Sequence, residues 1–398
     1  MTILIVSLSP HFQAKKAVSA TVSIIKNLTS FKEKGMNYQD QQFENFKNQP
    51  TEKKIELFEK DGKLFDMIIS QQLSREVLDE LYNLTNHLRR MGKLKEGLDF
   101  LGTLLSHKRA MLYFEQPSSR TFLSFLNACH ILGLKTSEIR DISVSSEVKG
   151  ESYFDSIRTF SSYTDLVIMR SKDKDAAEKA AWILNTYSNR PVPILNGGSG
   201  ADQHPTQALL DVYTLMRSFA NQGGLDGKTV MFCGDLRRGR TARSLAYLLE
   251  RFNDVKLIFC APKEFQILDD ILESLDRKGV KYEIITESVR SGLDRADAIY
   301  MTRIQDEHDL VAGESSKIDI SKFKLTAEDL KYMKPGAAIL HPFPRRDEIA
   351  TEIDSDSRAK YWRQGRNGMW TRVALIAYVF NLEKQIMEFD VSKVDHLR

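Results

Sequence analysis

RAMLYFEQPSSRTFLSFLNACHIL, residues 109–132, holds a strand, a turn and a helix in succession, and the rest of the architecture can be read outward from it. The run Arg109–Phe114 is apolar and β-prone, whereas Phe125, Ala128, Cys129 and Leu132 recur at the spacing of one helix face. Pro117, Ser118 and Ser119 mark the change. Downstream, short apolar runs at 167–169, 193–195, Thr229–Cys233, Lys256–Cys260, Ala298–Met301 and 337–340 alternate with helix-period segments. That alternation predicts an α/β fold of parallel sheets flanked by helices. Upstream, order is expected to begin at Asp66, followed by Ser74 as the cap of a helix that carries Val77, Leu78, Leu81, Leu84, Leu88 and Met91 on one face and stops at Gly92. The stretch 37–63 reads as a linker or short helix. Ligands of such sheets bind past the carboxyl ends of strands, so the polar segments after each strand are where chemistry belongs.

Composition narrows the function classes. The 398 residues are 42% hydrophobic and 28% charged, and the longest apolar run, 373–380, is far short of the roughly 20 residues that cross a bilayer. Membrane and disordered classes are excluded, and the length allows two or three domains. Lys plus Arg total 57 against 54 Asp plus Glu, a balance of +3 that gives no reason to expect a nucleic-acid partner. Cys129, Cys233 and Cys260 are odd in number and lack Cys-x-x-Cys spacing, which argues against a disulfide framework or a metal site and for a reducing, cytoplasmic setting. The first 32 residues lack Asp and Glu and are rich in Ser and Thr, the composition of an organellar transit peptide, but they also lack arginine. A disordered or mis-assigned leader, with Met36 as another candidate start, is therefore the preferred reading, with targeting as the alternative.

After the first quoted strand, Ser118, Ser119, Arg120 and Thr121 sit where backbone N–H groups and the positive end of a helix dipole converge, so hydroxyls and a guanidinium there make a phosphate site. The bland reading is an ordinary serine cap with a surface arginine. Ser145, Ser146 and Lys149 lie in a polar loop, where a lysine is most often merely solvated. His204 and Gln207, three residues apart at a helix start, can face one ligand carbonyl. The segment 234–241, Gly-Asp-Leu-Arg-Arg-Gly-Arg-Thr, misses the nucleotide P-loop by Arg240 in place of Lys, and arginine's planar fork suits a carboxylate better. Arg303 and Gln305 share one side of an extended segment. Two sets of donors, Arg240 and the Arg303/Gln305 pair, suit a substrate with two carboxylates. Finally, 341–346 is a turn stiffened by Pro342 and Pro344 that exposes carbonyls or shapes a pocket.

Together these segments resemble the transcarbamoylase family from about Asp66 to Glu383. Ser118-Ser119-Arg120-Thr121 resembles its Ser-Thr-Arg-Thr carbamoyl phosphate motif, and His204-Pro205-Thr206-Gln207 its His-Pro-x-Gln segment. Lys149-Gly150-Glu151, Met301-Thr302-Arg303-Ile304-Gln305 and His341-Pro342-Phe343-Pro344 resemble the branch whose acceptor is aspartate. Phe122 departs from the pattern by standing where the family usually has a second arginine. Glu115-Gln116-Pro117 looks like the ornithine branch, and Phe343 replaces a usual leucine.

The resemblance implies a step of pyrimidine biosynthesis in which the amino group of L-aspartate attacks carbamoyl phosphate directly, without cofactor or metal. It implies phosphate contacts from Ser118, Ser119, Arg120, Thr121 and Arg170, and a carbamoyl group surrounded by His204, Gln207, Thr121 and Arg170. Arg240 and Thr241 would take the α-carboxylate; Arg303, Gln305 and Lys149 would take the β-carboxylate; Pro342 and Phe343 would line the pocket. Arg120, Thr121, Lys149, His204 and Gln207 are the catalytic candidates. Ser145 and Lys149 would come from a neighbouring subunit, making a homotrimer with shared sites the minimum, with regulatory chains or a dihydroorotase as further partners left open. The implied domains are a carbamoyl phosphate domain over 63–205, completed by 366–398 with a helix at 367–382, and an aspartate domain over 206–365, after an extension over 1–62. A catalytically silent homologue and an enzyme using another acceptor, such as ornithine, are the rival expectations.

Overall fold

The computed structural model describes residues 38–140, 150–200, 202–309 and 313–396, and divides at Glu56 into two units. Helix α1 (Tyr38–Lys47) belongs to the first unit; α2 (Thr51–Phe58) runs across the boundary. Strands β1 (Glu59–Lys60) and β2 (Lys63–Leu64) then form a hairpin around Asp61 and Gly62. Both turn residues have positive φ, 51° and 70°, the geometry that Asp-Gly favours. The stretch 37–63, expected as a linker or short helix, holds two helices and most of a hairpin over its described residues. Its helices show little apolar periodicity, and the two-residue strands are below the length that alternation reveals.

Helix α3 (Arg75–Met91) starts where Ser74 Oγ accepts the Val77 N–H at 3.3 Å. It buries Leu78, Leu81, Leu84, Leu88 and Met91, each contributing roughly 1.5–3 kcal/mol over an exposed position. After α4 (Lys95–Leu104) the chain alternates: β3 (Arg109–Phe114), α5 (Ser119–Ile131), β4 (Lys135–Ile139), α6 (Tyr153–Tyr163), β5 (Leu166–Ser171), α7 (Ala176–Tyr187), β6 (Ile194–Ser199) and α8 (Pro205–Phe219). A second series follows with β7 (Thr229–Cys233), α9 (Arg240–Leu249), β8 (Lys256–Cys260), α10 (Asp269–Lys278), β9 (Lys281–Ile285), α11 (Arg290–Leu293), β10 (Ala298–Met301) and β11 (Ala338–Leu340). Two helices close the chain, α12 (Tyr361–Val379) and α13 (Glu383–Met387).

All strand pairs after the hairpin are parallel, in two sheets ordered β4-β3-β5-β6 and β11-β10-β7-β8-β9. The strand order reverses between β3 and β5 in the first sheet and between β7 and β10 in the second, and those two points are where open α/β sheets form ligand crevices. Strands β4 and β9 were not anticipated. Both are edge strands with mostly uncovered residues, so their sequences, KTSEI and KYEII, lack the continuous apolar run of a buried strand. Helix α12 starts earlier than the expected 367–382. It packs on α3, α5 and α8, and buries Trp370, Val373, Leu375, Ile376 and Val379. Cys129, Cys233 and Cys260 are buried free thiols, with Cys233 and Cys260 paired in register on β7 and β8. Among the described residues no helix is long and apolar enough to cross a membrane.

Candidate active site

A cavity of about 1080 Å³ opens past the carboxyl ends of both sheets. The turn after β3 and the first residues of α5 give it Ser118, Ser119, Arg120 and Thr121; β5 gives Arg170; the start of α8 gives His204 and Gln207. From the second sheet come Arg240 and Thr241 at the start of α9, Arg303 and Gln305 after β10, and Pro342 and Phe343 after β11. Three helix N-termini, those of α5, α8 and α9, thus meet at one void with their positive dipole ends. Of the residues expected at the site, Ser145 and Lys149 lie outside the described residues.

Ser118 differs from two other serines at helix starts. Ser74 and Ser152 cap their helices by accepting N–H bonds at 3.3 and 3.1 Å, whereas Ser118, at the same position of α5, makes no side-chain cap bond. Its hydroxyl and the first-turn N–H groups are left for another acceptor or donor.

Arg170, Arg240, Arg120 and Arg303 bring like charges to this cavity. Arg170 is held down to about 9, first by burial and then by Arg240, Arg120 and Arg372; burial likewise brings Arg240 down to about 10. Burial, then Arg303, lowers Arg120. Such a group of guanidiniums is relieved by a multiply charged anion. Arg170 donates through Nη1 to Gly197 O at 3.0 Å, while its Nε is buried without a partner. Arg240 donates to Gly200 O and, through Nη2, to Gln116 Oε1 at 3.1 Å, joining the turn after β3 to α9. Arg303 is clamped by Glu307, donating to Oε2 at 2.8 Å.

His204 is buried. Desolvation, then Arg170, Arg240 and Arg372, push it well below the usual histidine range, so it is a neutral imidazole with one N–H to donate. Gln207 donates through Nε2 to Asp211 Oδ1 at 2.9 Å. Beyond β11, His341 Nδ1 accepts the Phe343 N–H at 2.8 Å, and Nε2 donates to Glu348 at 2.6 Å. These bonds hold Phe343 at φ 56°, before a cis bond to Pro344, with its ring 5.2 Å from Trp362 and 5.9 Å below the Arg120 guanidinium. Among the described residues no group of three or more His, Cys, Asp and Glu is placed to hold a metal ion.

Several groups at or beneath the cavity escaped sequence reading: Gln116, Asp211, Glu307, Gln364 and Arg372. Gln116 lay in the segment already noted, and Glu307 is four residues after Arg303. Asp211, Gln364 and Arg372 gave no signal, because an isolated polar residue in a helix looks like any solvated one. Phe122, which replaces a usual arginine, is buried, edge-on to Phe114 at 5.4 Å and 4.4 Å beneath the Arg140 guanidinium. Glu115 accepts from Tyr113 OH at 2.7 Å and from the Ser171 hydroxyl, tying β3 to β5.

Family models match both halves of this arrangement: the aspartate/ornithine carbamoyltransferase carbamoyl-P binding domain over residues 66–217, and the Asp/Orn binding domain over 226–379. The chain is 39% identical over 321 residues to a chloroplastic aspartate carbamoyltransferase of Arabidopsis thaliana, covering 79% of this chain and 77% of the relative. It is 39% identical over 302 residues to an aspartate carbamoyltransferase catalytic subunit of Methanocaldococcus jannaschii, covering 76% and 92%. Among solved structures, it is similar to aspartate transcarbamoylase from Trypanosoma cruzi in complex with N-(phosphonacetyl)-L-aspartic acid, with a TM-score of 0.70 and 34% identity over 79% of this chain and 95% of that one.

Proposed function

The chain belongs to the aspartate/ornithine carbamoyltransferase family, and from that membership we infer that it is an aspartate carbamoyltransferase acting in pyrimidine biosynthesis. It transfers the carbamoyl group of carbamoyl phosphate to the amino group of L-aspartate, giving N-carbamoyl-L-aspartate and phosphate. The new C–N bond forms as the amine attacks the carbonyl carbon. The C–O bond to phosphate then breaks, phosphate leaves with the electron pair, and the amine gives up a proton.

One observation carries this reading. A single cavity faces a phosphate-type helix start at 118–121 from the first sheet and two arginine groups, Arg240 and Arg303, from the second. That arrangement suits a phosphate and a dicarboxylate side by side. In this reading Ser118, Ser119, Arg120, Thr121 and Arg170 hold the phosphate, and His204 donates to the carbonyl oxygen as negative charge builds there. Gln207 faces the carbamoyl amino group, Arg240 and Thr241 take the α-carboxylate, and Arg303 and Gln305 take the β-carboxylate. Pro342 and Phe343 form the wall against which the acceptor is set. The chain is read as a carbamoyl phosphate domain over 63–205, completed by 366–398, and an aspartate domain over 206–365.

The working unit proposed is a homotrimer in which Ser145 and Lys149 complete a neighbouring site. Mixing Arg120→Ala with Lys149→Gln subunits then restores activity through hybrid sites, and no recovery after verified exchange would count against sharing. The acid-poor first 32 residues and the chloroplastic relatives support plastid targeting as strongly as the thiols support a cytoplasmic location. A fusion of residues 1–65 to a fluorescent protein distinguishes the two.

The experiment for the reaction itself is product formation from carbamoyl phosphate with L-aspartate and, in parallel, with L-ornithine. Carbamoyl-aspartate alone is expected. Carbamoyl-ornithine overturns the acceptor assignment, and a folded oligomer that makes neither product overturns the enzyme reading in favour of a silent homologue.

A further inference from the structure

We propose that Asp211 is a positioning residue for carbamoyl transfer: from beneath the cavity its carboxylate sets which end of the Gln207 amide faces substrate and ties that amide to β10 and to the turn after β11. The proposal rests on the carbamoyl-transfer reading above.

Asp211 lies on α8 one turn after Gln207 and has 0% exposure. Three side chains from three elements donate to it: Gln207 Nε2 to Oδ1 at 2.9 Å, Gln364 Nε2 from α12 to Oδ1 at 2.6 Å, and the Tyr300 hydroxyl from β10 to Oδ2 at 2.7 Å. Gln364 then accepts the His341 N–H through its own Oε1 at 2.9 Å, so the chain of bonds runs from Gln207 to the segment that carries Pro342 and Phe343. Tyr300 stands three residues before Arg303 on the strand leading to it. The charged group nearest this network is Arg372, which donates to Ser124 Oγ at 2.6 Å and covers Phe125.

A carboxylate buried this deeply is costly to desolvate, and replacing buried ionic groups by apolar residues of similar volume is often neutral for stability. Stability alone therefore gives it no purpose. A purpose follows from the amide. A carboxamide has a donor end and an acceptor end of nearly the same shape, and nothing but its partners decides which faces outward. Burial raises the Asp211 carboxyl to about 7, against hydrogen bonds from Tyr300, Gln364 and Gln207 that favour the charged form; once ionised it only accepts, engages the Gln207 NH₂ and leaves Oε1 for the cavity, where it accepts from the NH₂ of a carbamoyl group. Asparagine at 211 has one acceptor oxygen where the carboxylate has two, so Gln207, Gln364 and Tyr300 compete for it and the Gln207 amide is free to turn over, setting NH₂ against NH₂.

The test uses the full-length protein and a probe that needs no turnover. Phosphonoacetamide keeps the carbamoyl NH₂ and the phosphoryl oxygens; inorganic phosphate keeps only the latter. By calorimetry, Asp211→Asn is expected to bind phosphonoacetamide about tenfold more weakly, the scale of one well-placed hydrogen bond to a buried group, while phosphate affinity changes less than about twofold. Equal weakening for both ligands, or for neither, overturns the proposal. In turnover, Asp211→Asn should lower kcat roughly 10- to 100-fold, and adding it to Gln207→Leu should cost no more than about twofold further, since the two act as one unit. Fully multiplicative effects overturn it. Should Asp211→Asn fail to fold, Tyr300→Phe removes one donor and keeps the carboxylate. It should weaken phosphonoacetamide selectively by about threefold, and wild-type binding in that variant overturns the proposal. Absence of carbamoyl-aspartate from the wild-type enzyme bears on the reaction instead, because the binding comparison stands without it.

Discussion

Arg170 and Arg240 approach the same face of Gly198: a Cβ placed there would lie 2.6 Å from Arg170 Nη1 and 3.3 Å from Arg240 Cζ. The two guanidiniums come from different elements, one from strand β5 and one from the start of helix α9, and they meet over a backbone position at φ 123° that only glycine adopts without strain. Gly198→Ala should displace both arginines, lowering kcat/KM by about 100-fold, since small displacements in a positioned site cost that much. Initial rates with both substrates varied check this, and near-normal kcat/KM in a folded variant refutes it.

Arg303 should separate acceptor binding from phosphate binding. Its guanidinium is held by Glu307 past the carboxyl end of β10, on the other sheet from the helix start at 118–121. Arg303→Ala is expected to raise KM for L-aspartate at least tenfold, the loss of a charge-assisted contact, and to leave phosphate affinity within about twofold. Steady-state kinetics beside phosphate calorimetry read the two effects separately.

Asp66 makes stability depend on pH. Burial raises its carboxyl to about 7, although Asn185 and the Ile194 N–H hydrogen-bond to it. A raised value means that the folded state binds this proton more tightly than the unfolded chain. The stability it contributes is present below about pH 4 and lost as pH rises towards 7, on the order of a few kcal/mol in all. Asp66→Asn should flatten that stretch of the curve by about one proton. Urea unfolding between pH 4.5 and 8 measures the slope, and an unchanged slope in the variant refutes the assignment.

Phe122 should matter for packing, not for charge. Phe122→Ala removes a ring wedged between Phe114 and Arg140, at a cost of about 3–5 kcal/mol. Arg140→Ala, exposed at its far side, should cost only about 0.5–1 kcal/mol. Denaturant titration of the two variants ranks them, and the reverse ranking would point to an ionic role for Arg140.

Much of this was legible beforehand because strand, turn and helix follow one another at short range. The run Arg109–Phe114 and the periodic Phe125, Ala128 and Cys129 speak for themselves, and a polar segment placed after a buried strand announces a site. What stayed hidden depends on distant partners. Strand β9 is a strand because β8 offers it an edge, and nothing in KYEII marks it as core. Asp211 and Arg372 are buried only because α8, α12 and β10 meet, and no window of the sequence contains that meeting. The hairpin after α2 was missed although its signal, Asp61-Gly62, lies within two residues, because its strands are too short to show alternation.

Helix α12 has a consequence for synthesis. It is among the last elements made, yet it covers α3 and α5, which are among the first. Until residue 379 has left the ribosome, Leu84 and Leu88 of α3 and Phe125 of α5 lack part of their apolar cover. At roughly 5–20 residues per second, the interval from α5 to the end of α12 is on the order of tens of seconds. For that time the amino-terminal half is a sticky nascent chain, and holding it from aggregation falls to chaperones until its own distant tail arrives.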